Sequence, residues 1–424
     1  MQPILLQSVR LLNPLSAYDG VMDLFIDPNG TLLPKPPSLP DCRIVDGRDC
    51  IATPGLLDMH VHFRDPGITE AETLQTGAQA AAAGGFTRVV TMPNTLPACD
   101  SPEIIYHQQR NDLPVRILPS AAITVGRAGK QLADLPHLAE AGAVAFTDDG
   151  AMVHDASLMR QALVQAHTLG KLVMDHAVLP DIAGKGVIRD CRIARQNGIP
   201  IFSPQAEVDA VRQDIRLAEE SGGHIHIQHL SCAESVELIR QAQRKGICVT
   251  AEVTPHHLSI SCEQIPANDG NWRMAPPLGT KEDVRALRQG IKDGTIQAFA
   301  TDHAPHAPTR KNLPYAQAAS GIIGLETAAA ITWQAMVEPG ELPPLRWASL
   351  WTTAPATLLG VAPPALRFGA PADLALFRKT VWHYHTKSGF SKSRNTPFDG
   401  MTFPLRVELT FMDGRKTYDR YEHI

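Results

Sequence analysis

Short apolar runs alternate with longer amphipathic segments through the middle of this 424-residue chain, from about residue 53 to residue 356. Each run ends at a loop marked by Gly, Pro or Asp, and the segment that follows has the periodicity of a helix. Such alternation of strand and helix predicts a parallel sheet. The eight predicted strands are residues 56–62, 88–93, 115–123, 144–148, 171–176, 224–230, 248–254 and 297–303.

The segments between these runs are rich in Ala and Gln and are predicted to be helices. Eight strand–helix units are what a closed (β/α)8 barrel requires, so we predict a TIM-like barrel of the α/β class. An open, doubly wound sheet is the alternative that the same alternation allows. The clearest predicted helices are residues 70–83, 156–169, 207–220, 233–244 and 281–292.

The two chain ends differ from the middle, because helical periodicity is scarce there and short β-like pieces dominate. Turn dipeptides such as Asp19-Gly20 and Asp413-Gly414 separate these pieces. We therefore predict a small β-rich domain, formed by both chain ends, that packs beside the barrel. Its two parts are residues 1–52 and 362–424, and the barrel is residues 53–361.

The composition is that of a folded globular protein. Hydrophobic residues make up 44% and charged residues 20%, which allows a large buried core. The formal net charge is only -5 and no run of Lys or Arg occurs, so we expect no nucleic-acid partner. The seven cysteines lack CxxC spacing, and no apolar run resembles a signal peptide or reaches membrane-spanning length. We expect a cytoplasmic protein with no membrane partner.

Histidines and aspartates recur at the ends of the predicted strands, where a barrel of this kind places its reactive groups. The first run ends with His60 and His62, which are two residues apart and therefore point to the same face of a strand. Two imidazoles on one strand end can bind a metal ion together. Taken alone, such a pair is more often two surface or core histidines than a metal site.

Four later runs end in further candidate ligands, and together they favour a metal site over surface or core histidines. The fourth run supplies Asp148 or Asp149, the fifth supplies His176, and the eighth supplies Asp302. The sixth run ends at His229, the best-placed histidine of that run. Each of these residues lies where a barrel strand ends, so we expect them to meet His60 and His62.

Four other histidines near the strands are interpreted differently. His224 and His226 occupy the strand face opposite to that of His229, and we expect them to pack between strand and helix. His256 and His257 follow the seventh run, where a structural or substrate-adjacent role is favoured over metal binding.

Four histidines and two aspartates exceed what a single four-coordinate site requires. Two ions bridged by a carboxylate and a hydroxide would use all six and would generate a nucleophile at neutral pH. Nitrogen and oxygen ligands of this kind suit zinc and similar ions. The set therefore predicts metal-assisted hydrolysis. No GxSxG elbow, Walker loop or GxGxxG motif supports a different chemistry.

Several of these residues belong to longer motifs. Residues 54–67 read PGLLDMHVHFRDPG, and the later motifs are GGFT (84–87), MPNT (92–95), FTDDG (146–150), TPHHL (254–258) and ATDHAPH (300–306). Together and in this order, they resemble the motifs of the type I dihydroorotases, which belong to the amidohydrolase superfamily. The resemblance covers nearly the whole chain.

The resemblance implies reversible cyclisation of N-carbamoyl-L-aspartate to dihydroorotate in pyrimidine biosynthesis, with two zinc ions per chain. It implies that Asp149 rather than Asp148 bridges the ions, because its spacing to His176 resembles that of the family. Asp302 would bind metal and would carry the proton between water and the ring nitrogen. The other implied roles are binding of one zinc by His60 and His62, binding of the second zinc by His176 and His229, and substrate binding by Arg64, Asn94 and His306.

One departure from the family pattern concerns substrate binding. Where the family usually has Asn-Pro-Pro-Leu, this chain has Ala275 before its two prolines, and alanine cannot donate the hydrogen bond of that Asn. Loss of one contact would cost about 1 to 3 kcal/mol unless a neighbour replaces it. Asn271 and Arg273 are the nearby candidates for that replacement.

Two alternatives follow from the same scaffold. Hydantoinases and allantoinases act on other cyclic amides but generally bridge their metals with a carboxylated lysine, and no lysine lies between Lys130 and Lys171. Some dihydroorotase-like chains are non-catalytic partners of aspartate transcarbamoylase, although these usually lose metal ligands. We expect a small-molecule substrate and a homo-oligomer, with association with that transferase as a further option.

Overall fold

The computed structural model describes residues 1–35 and 41–422 of the chain. Within these residues the chain forms sixteen strands. They are β1 (Ile4–Asn13), β2 (Tyr18–Ile26), β3 (Leu32–Leu33), β4 (Arg43–Asp46), β5 (Cys50–Pro54), β6 (Leu56–Val61), β7 (Phe86–Thr91), β8 (Arg116–Pro119), β9 (Ala145–Phe146), β10 (Leu172–Asp175), β11 (Ile225–Ile227), β12 (Val249–Val253), β13 (Ala298–Phe299), β14 (Leu374–His383), β15 (Thr402–Met412) and β16 (Arg415–Asp419).

Helices follow the strands of the middle region, and the longest of them correspond to the five predicted helical segments. None of the helices described is both long and apolar enough to cross a membrane. A π-helix (Trp333–Val337) continues α12. The α-helices are α1 (Leu74–Ala83), α2 (Pro102–Gln108), α3 (Leu135–Glu140), α4 (Ala156–Thr168), α5 (Pro180–Ala183), α6 (Arg192–Asn197), α7 (Gln205–Ser221), α8 (Ala233–Arg244), α9 (Pro255–Ser259), α10 (Lys281–Asp293), α11 (Pro308–Lys311), α12 (Ala328–Thr332), α13 (Pro344–Leu350) and α14 (Thr353–Leu358).

Strands β6 to β13 form the predicted barrel. Parallel ladders join β6, β7 and β8 in one group and β9 to β13 in another. Two backbone hydrogen bonds connect the groups: Thr147 N donates to Ala121 O at 2.9 Å, and His62 N donates to His303 O at 2.9 Å. Because both connections are parallel bridges, the eight strands close on themselves. The closed barrel is confirmed, and the open-sheet alternative is wrong.

Hydrogen-bonding side chains set where the helices begin. The predicted helix of residues 70–83 starts only at Leu74, because Thr73 adopts an extended conformation and caps it. The Thr73 side chain accepts a hydrogen bond from Thr76 N, and the Thr76 side chain accepts one from Thr73 N. Thr280 and Asp283 form the same reciprocal cap at the start of α10.

Two barrel strands are shorter than the apolar runs that predict them, because the chain turns out of the ladder near the candidate ligands. Residues 224–230 contribute only β11, and His229 has a φ of +33°, which an extended strand does not allow. Residues 297–303 contribute only β13, and Asp302 has a φ of +46°. These two side chains therefore lie just past the carboxyl ends of their strands.

Apolar packing closes the amino-terminal end of the barrel. Leu57 N, at the start of β6, donates to Trp351 O at 2.7 Å. Buried apolar side chains of β6, β7, β9, β10 and β13 pack with Ala356 and Leu359. The polar side chains lie at the opposite end, at the carboxyl ends of the strands, where barrels of this kind have their active sites.

Both chain ends contribute to a second, eight-stranded sheet. Its strand order is β16-β15-β14-β5-β1-β2-β3, and β4 pairs with β1. Strand β5 is parallel to β1 and antiparallel to β14, so the two ends of the chain share one sheet. The predicted β-rich region is confirmed. The exact domain bounds stay a prediction, and the bound between residues 52 and 53 lies within β5.

Between β14 and β15 the chain leaves this sheet and packs against the barrel. Glu72 accepts a hydrogen bond from Ser391 Oγ. Asn395 Nδ2 donates to Ala304 O at 2.9 Å and to Gly321 O at 3.0 Å. The carboxyl-terminal part of the chain thereby supports the loop that follows β13, a contact that the sequence patterns did not predict.

Candidate metal centre and active site

The predicted metal ligands come together at the carboxyl ends of five barrel strands, with Asp149 in the centre. Its Oδ1 lies 3.3 Å from His60 Nε2, and its Oδ2 lies 3.5 Å from His62 Nε2. The same Oδ1 lies 3.9 Å from His176 Nδ1 and 3.7 Å from His229 Nε2. One carboxylate thus lies close to all four histidines.

Asp302 completes the cluster from the end of β13. Its Oδ1 lies 3.0 Å from His62 Nε2 and 3.6 Å from His60 Nε2. Burial opposes ionisation of this carboxyl group, but the hydrogen bond with His62 and the charges of nearby histidines outweigh burial and lower its pKa. Asp302 is therefore an ionised group that can bind a cation or accept a proton.

The neighbouring Asp148 points elsewhere. Its Oδ1 accepts hydrogen bonds from Ile123 N at 2.8 Å and from Thr124 N at 3.1 Å, and its Oδ2 accepts one from Thr124 Oγ1. This carboxylate holds the loop after β8 against the end of β9. The structure brings Asp149, and not Asp148, to the histidines.

Further hydrogen bonds orient the two histidines at the end of β6. His60 Nδ1 lies 2.6 Å from Glu252 Oε1, and His62 Nδ1 lies 2.9 Å from Asn94 Oδ1. Ionised carboxylate and amide oxygens only accept hydrogen bonds, so each Nδ1 carries the proton. When the ring is neutral, as it would be with a metal bound, Nε2 is the nitrogen that keeps a free electron pair, and in both histidines it faces Asp149.

Buried polar atoms without hydrogen bonds indicate a candidate cation site at this cluster. His60 Nε2 and Asp149 Oδ1 are buried and make no hydrogen bond within the described part of the chain. Burial of such atoms is costly, and a bound cation removes the cost. The residues present therefore fit bound metal. Two overlapping groups have ligand atoms within 4.8 Å of one another: His60, Asp149 and His229, and His60, His62 and Asp302.

His176 lies beside both of these groups without belonging to either. Its Nδ1 is 2.8 Å from His229 Nε2. Burial, helped by the charge of His229, lowers the pKa of His176 to about 3. His176 is therefore a neutral imidazole that can offer a nitrogen to a cation between it and Asp149.

Arg64, which follows β6, is a half-buried cation. Its Nε donates to Pro305 O at 3.3 Å, and its guanidinium forms no ion pair with a carboxylate of residues 1–35 or 41–422. Burial lowers the pKa of Arg64 to about 10, although the charges of Asp302 and Asp149 oppose the shift. A guanidinium in this state is suited to bind a carboxylate ligand.

His306 lies near Arg64 and His62, in the loop that follows β13. Its Nε2 is 2.7 Å from Ser320 O, so Nε2 carries the proton and donates it. Its backbone N donates to Asn395 Oδ1 at 3.0 Å. Burial, with the charge of Arg64, lowers the pKa of His306 to about 3. The ring is neutral, and its Nδ1 can accept a hydrogen bond.

The amino-acid sequence matches those of known proteins along nearly its whole length. A family model described as dihydro-orotase-like matches residues 49–235. A protein of Syntrophus aciditrophicus named dihydroorotase is 38% identical over 423 residues, which cover 98% of this chain and 99% of the relative. The dihydroorotase of Aquifex aeolicus is also 38% identical, over 99% of this chain and 100% of the relative. The chain belongs to the dihydroorotase-like family.

Solved structures show that this dihydroorotase-like chain shares its fold with other proteins. The L-hydantoinase (dihydropyrimidinase) of Arthrobacter aurescens matches with a TM-score of 0.83 at 22% identity, over 99% of this chain and 97% of that protein. A dihydropyrimidinase of Brevibacillus agri matches with a TM-score of 0.83 at 20% identity, over 99% and 95%. At these identities the likeness concerns the fold, and it confirms a TIM-like barrel with an added β-rich region.

Ala275 lies where the resemblance described above leads us to expect a substrate-binding Asn. Of its two candidate replacements, Arg273 is already engaged: its Nε donates to Ser320 Oγ at 3.1 Å and its Nη1 donates to Ala316 O at 2.8 Å. Arg273 therefore shapes the loop that ends at Ser320. In this dihydroorotase-like chain, Asn271 is the candidate that remains.

Four further histidines of the dihydroorotase-like chain, at positions 224, 226, 256 and 257, do not join the metal-facing cluster. His224 Nε2 and His226 Nδ1 lie 2.8 Å and 2.9 Å from Thr250 Oγ1. The ring of His257 bonds to a backbone carbonyl through Nε2 at 3.1 Å. His256 stacks on a phenylalanine ring at a centroid distance of 5.7 Å.

Two residues beside the cluster were not predicted. Glu252, in β12, lies 2.6 Å from His60 and 3.3 Å from His226. The sequence did contain a signal for Glu252: an acid within an apolar strand is buried, and a buried acid needs a polar partner. Arg127, in the loop after β8, donates through Nη2 to Asp149 O. Nothing in the sequence distinguishes Arg127 from an ordinary surface arginine.

Proposed function

We propose that the chain is a zinc-dependent dihydroorotase that interconverts N-carbamoyl-L-aspartate and (S)-dihydroorotate in de novo pyrimidine biosynthesis. The observation that carries this proposal is the buried cluster in which Asp149 lies no more than 3.9 Å from a nitrogen of each of four histidines. It is supported by relatives named dihydroorotase that align over nearly the whole of both chains. A cyclic amidohydrolase of this kind adds water across a ring amide or, in the reverse direction, removes it.

Two zinc ions per chain are assigned to the cluster. Zinc bound there supplies Lewis acidity towards the amide oxygen and lowers the pKa of coordinated water. Glu252 and Asn94 hold the Nδ1 protons of the two histidines at the end of β6, so that their Nε2 atoms stay available. The residues that would hold the ions are His60 and His62 for one, His176 and His229 for the other, together with Asp149 and Asp302.

Asp302 is assigned the transfer of the proton. During ring opening, the oxygen of water bonds to the ring carbonyl carbon and the carbon–nitrogen bond breaks. One proton of that water passes to the Asp302 carboxylate and from there to the departing ring nitrogen, so the carboxylate is regenerated. The position of Asp302, 3.0 Å from His62 Nε2 in the same cluster, supports this role.

Arg64, Asn94 and His306 are assigned to substrate binding. Arg64 offers a guanidinium without a carboxylate partner in the described residues, which is suited to a charge-assisted bond. Asn94 Oδ1 accepts a hydrogen bond from His62 Nδ1, so its Nδ2 is left to donate to an anion. His306 is neutral and offers Nδ1 as an acceptor to a substrate N–H.

A second candidate function is hydrolysis of a hydantoin-like or allantoin-like ring, because proteins of this fold include an L-hydantoinase. An aspartate at the position of the bridging lysine argues against it. A non-catalytic partner of aspartate transcarbamoylase is the third candidate, and the complete set of ligands argues against that role. A cytoplasmic location, a homo-oligomer and association with the transferase stay predictions, and co-elution of the two proteins tests the last.

Ring opening of dihydroorotate by the purified, zinc-loaded protein tests the proposal. It is followed by loss of ultraviolet absorbance, with metal content measured on the same sample and with hydantoin and allantoin as competing substrates. We expect turnover of dihydroorotate with about two zinc ions per chain. Turnover of hydantoin or allantoin alone would assign the protein to the rival class. Bound zinc without turnover, or no bound zinc, would contradict the proposal.

A further inference from the structure

Arg127 lies beside the metal-facing cluster, in the loop that follows β8. Its Nη2 donates to Asp148 O at 3.2 Å and to Asp149 O. Its Nε is buried and makes no hydrogen bond within residues 1–35 and 41–422, and no carboxylate of these residues forms an ion pair with it. A buried donor on an unpaired cation is costly, and an anionic ligand removes that cost.

Arg127 is one of three donors that follow three neighbouring strands of the barrel. Arg64 follows β6, Asn94 follows β7 and Arg127 follows β8, and these strands pair in that order. The two arginines are close enough for the charge of Arg127 to add to the effect of burial in lowering the pKa of Arg64. Two like charges repel each other, so an anion bound between them would stabilise both.

Gly150 lies beside both Arg127 and Asn94. A Cβ at this position would lie 3.5 Å from Arg127 Nη2 and 3.8 Å from Asn94 Nδ2. Nη2 of Arg127 already donates to the carbonyls of Asp148 and Asp149, so Arg127 keeps its Nε and Nη1 for an anion, and Asn94 adds Nδ2. Gly150 also has a φ of +77°, which a larger residue would adopt only with strain.

We propose that Arg127 is a second carboxylate-binding residue of the substrate site, acting together with Arg64 and Asn94. The inference rests on the proposed dihydroorotase activity. Dihydroorotate carries its carboxylate on a ring carbon away from the amide that reacts, so this group stays intact through the reaction. Arg64 binds it from the β6 side and Arg127 from the β8 side. The additional cation offsets the amide that the chain lacks at Ala275.

Steady-state kinetics of Arg127→Gln with dihydroorotate, on zinc-loaded protein, test this assignment. We expect KM to rise about 10- to 100-fold, the loss typical of a charge-assisted contact. Values of kcat and zinc content should stay within about twofold of the wild type, because the contact is the same in the ground and transition states. Arg127→Lys should recover part of the loss. Arg160→Gln, on an exposed part of α4, is the matched control and should change neither constant.

Two results would overturn the assignment. An unchanged KM in Arg127→Gln would show that the substrate carboxylate is bound elsewhere. Loss of zinc together with a fall in kcat would show that Arg127 serves only to hold the backbone of Asp149. If the wild type binds dihydroorotate without turning it over, the proposed function is wrong but the role of Arg127 can still be tested. Calorimetric titration of Arg127→Gln and Arg160→Gln with dihydroorotate then decides that role. A wild type that does not bind dihydroorotate contradicts both.

Discussion

The Oε1 atom of Glu252 lies 2.6 Å from Nδ1 of His60, and both side chains are fully buried. On the other side of the same carboxylate, Oε2 lies 3.3 Å from His226 Nε2. Burial alone would raise the pKa of Glu252, but the charges and hydrogen bonds of the two histidines outweigh it and lower the pKa to about 2. An ionised carboxylate at this position fixes the tautomer of His60 and makes its Nε2 a better ligand.

Replacement of Glu252 should therefore weaken metal binding without removing a ligand. For Glu252→Gln we expect zinc affinity to fall about 10- to 100-fold, as is usual when the hydrogen-bond partner of a ligating histidine is lost. Competition with a chelator of known affinity measures this. Glu282→Gln, on the exposed side of α10, is the control. Equal zinc affinity in the two variants would contradict the role assigned to Glu252.

Asp302 is the residue on which the proposed proton transfer depends. In Asp302→Asn the side chain keeps its size but can no longer take a proton from water, so we expect kcat to fall at least about 10²- to 10⁴-fold. The circular dichroism spectrum and the unfolding temperature should stay close to those of the wild type. Asp112→Asn, at an exposed position, is the control. Turnover retained in Asp302→Asn would reject the mechanism.

The alanine at position 275 offers a test in which activity should improve. Ala275→Asn restores the amide that the resemblance leads us to expect, and an added hydrogen bond of about 1 to 3 kcal/mol corresponds to a change in binding of about 5- to 150-fold. We therefore expect KM for dihydroorotate to fall at least about fivefold, with kcat little changed. Ala267→Asn, at an exposed position eight residues earlier in the chain, is the control. A higher KM in Ala275→Asn would mean that another group already fills the position.

The barrel and the set of clustered side chains could be predicted because both follow from local patterns. Strand and helix alternate with different periods, and a histidine or aspartate at a strand end has one direction in which to point. The same reasoning distinguished His229 from His226, which belong to one apolar run and were predicted to lie on opposite faces. It could not choose between Asp148 and Asp149, and only the resemblance to a family favoured Asp149.

Contacts between distant parts of the chain could not be predicted from such local patterns. Glu252 and His60 are 192 positions apart, and nothing in either local sequence indicates that β12 brings the acid behind the histidine. Asn395 supports His306 across 89 positions from a region for which the sequence predicted only sheet. Arg127 could not be singled out from the sequence, because only the packed structure shows that its Nε is buried and makes no hydrogen bond within the described residues.

Glu326 links the barrel to the segment between β14 and β15, because its Oε1 accepts hydrogen bonds from Phe390 N at 3.0 Å and from Ser391 N at 3.3 Å. Burial raises the pKa of this carboxyl group from 4.5 to about 7, and these hydrogen bonds only partly oppose the shift. The folded protein therefore binds this proton more tightly than the unfolded chain does. As pH rises from 4.5 to 7, the unfolded chain loses the proton first, and the free energy of unfolding falls by up to about 1.4 kcal/mol per pH unit.

A glutamine at position 326 cannot ionise, so Glu326→Gln should escape this loss. We expect the unfolding temperature of the variant, relative to the wild type, to rise as pH increases from about 5 to 7 and to stay constant above that range. Thermal unfolding of both proteins at several pH values measures the difference, and any pH effect that the two share cancels. Glu341→Gln, at a partly exposed position, is the control and should show no such trend. A difference between Glu326→Gln and the wild type that is the same at pH 5 and pH 8 would show that Glu326 is ionised in the folded protein throughout.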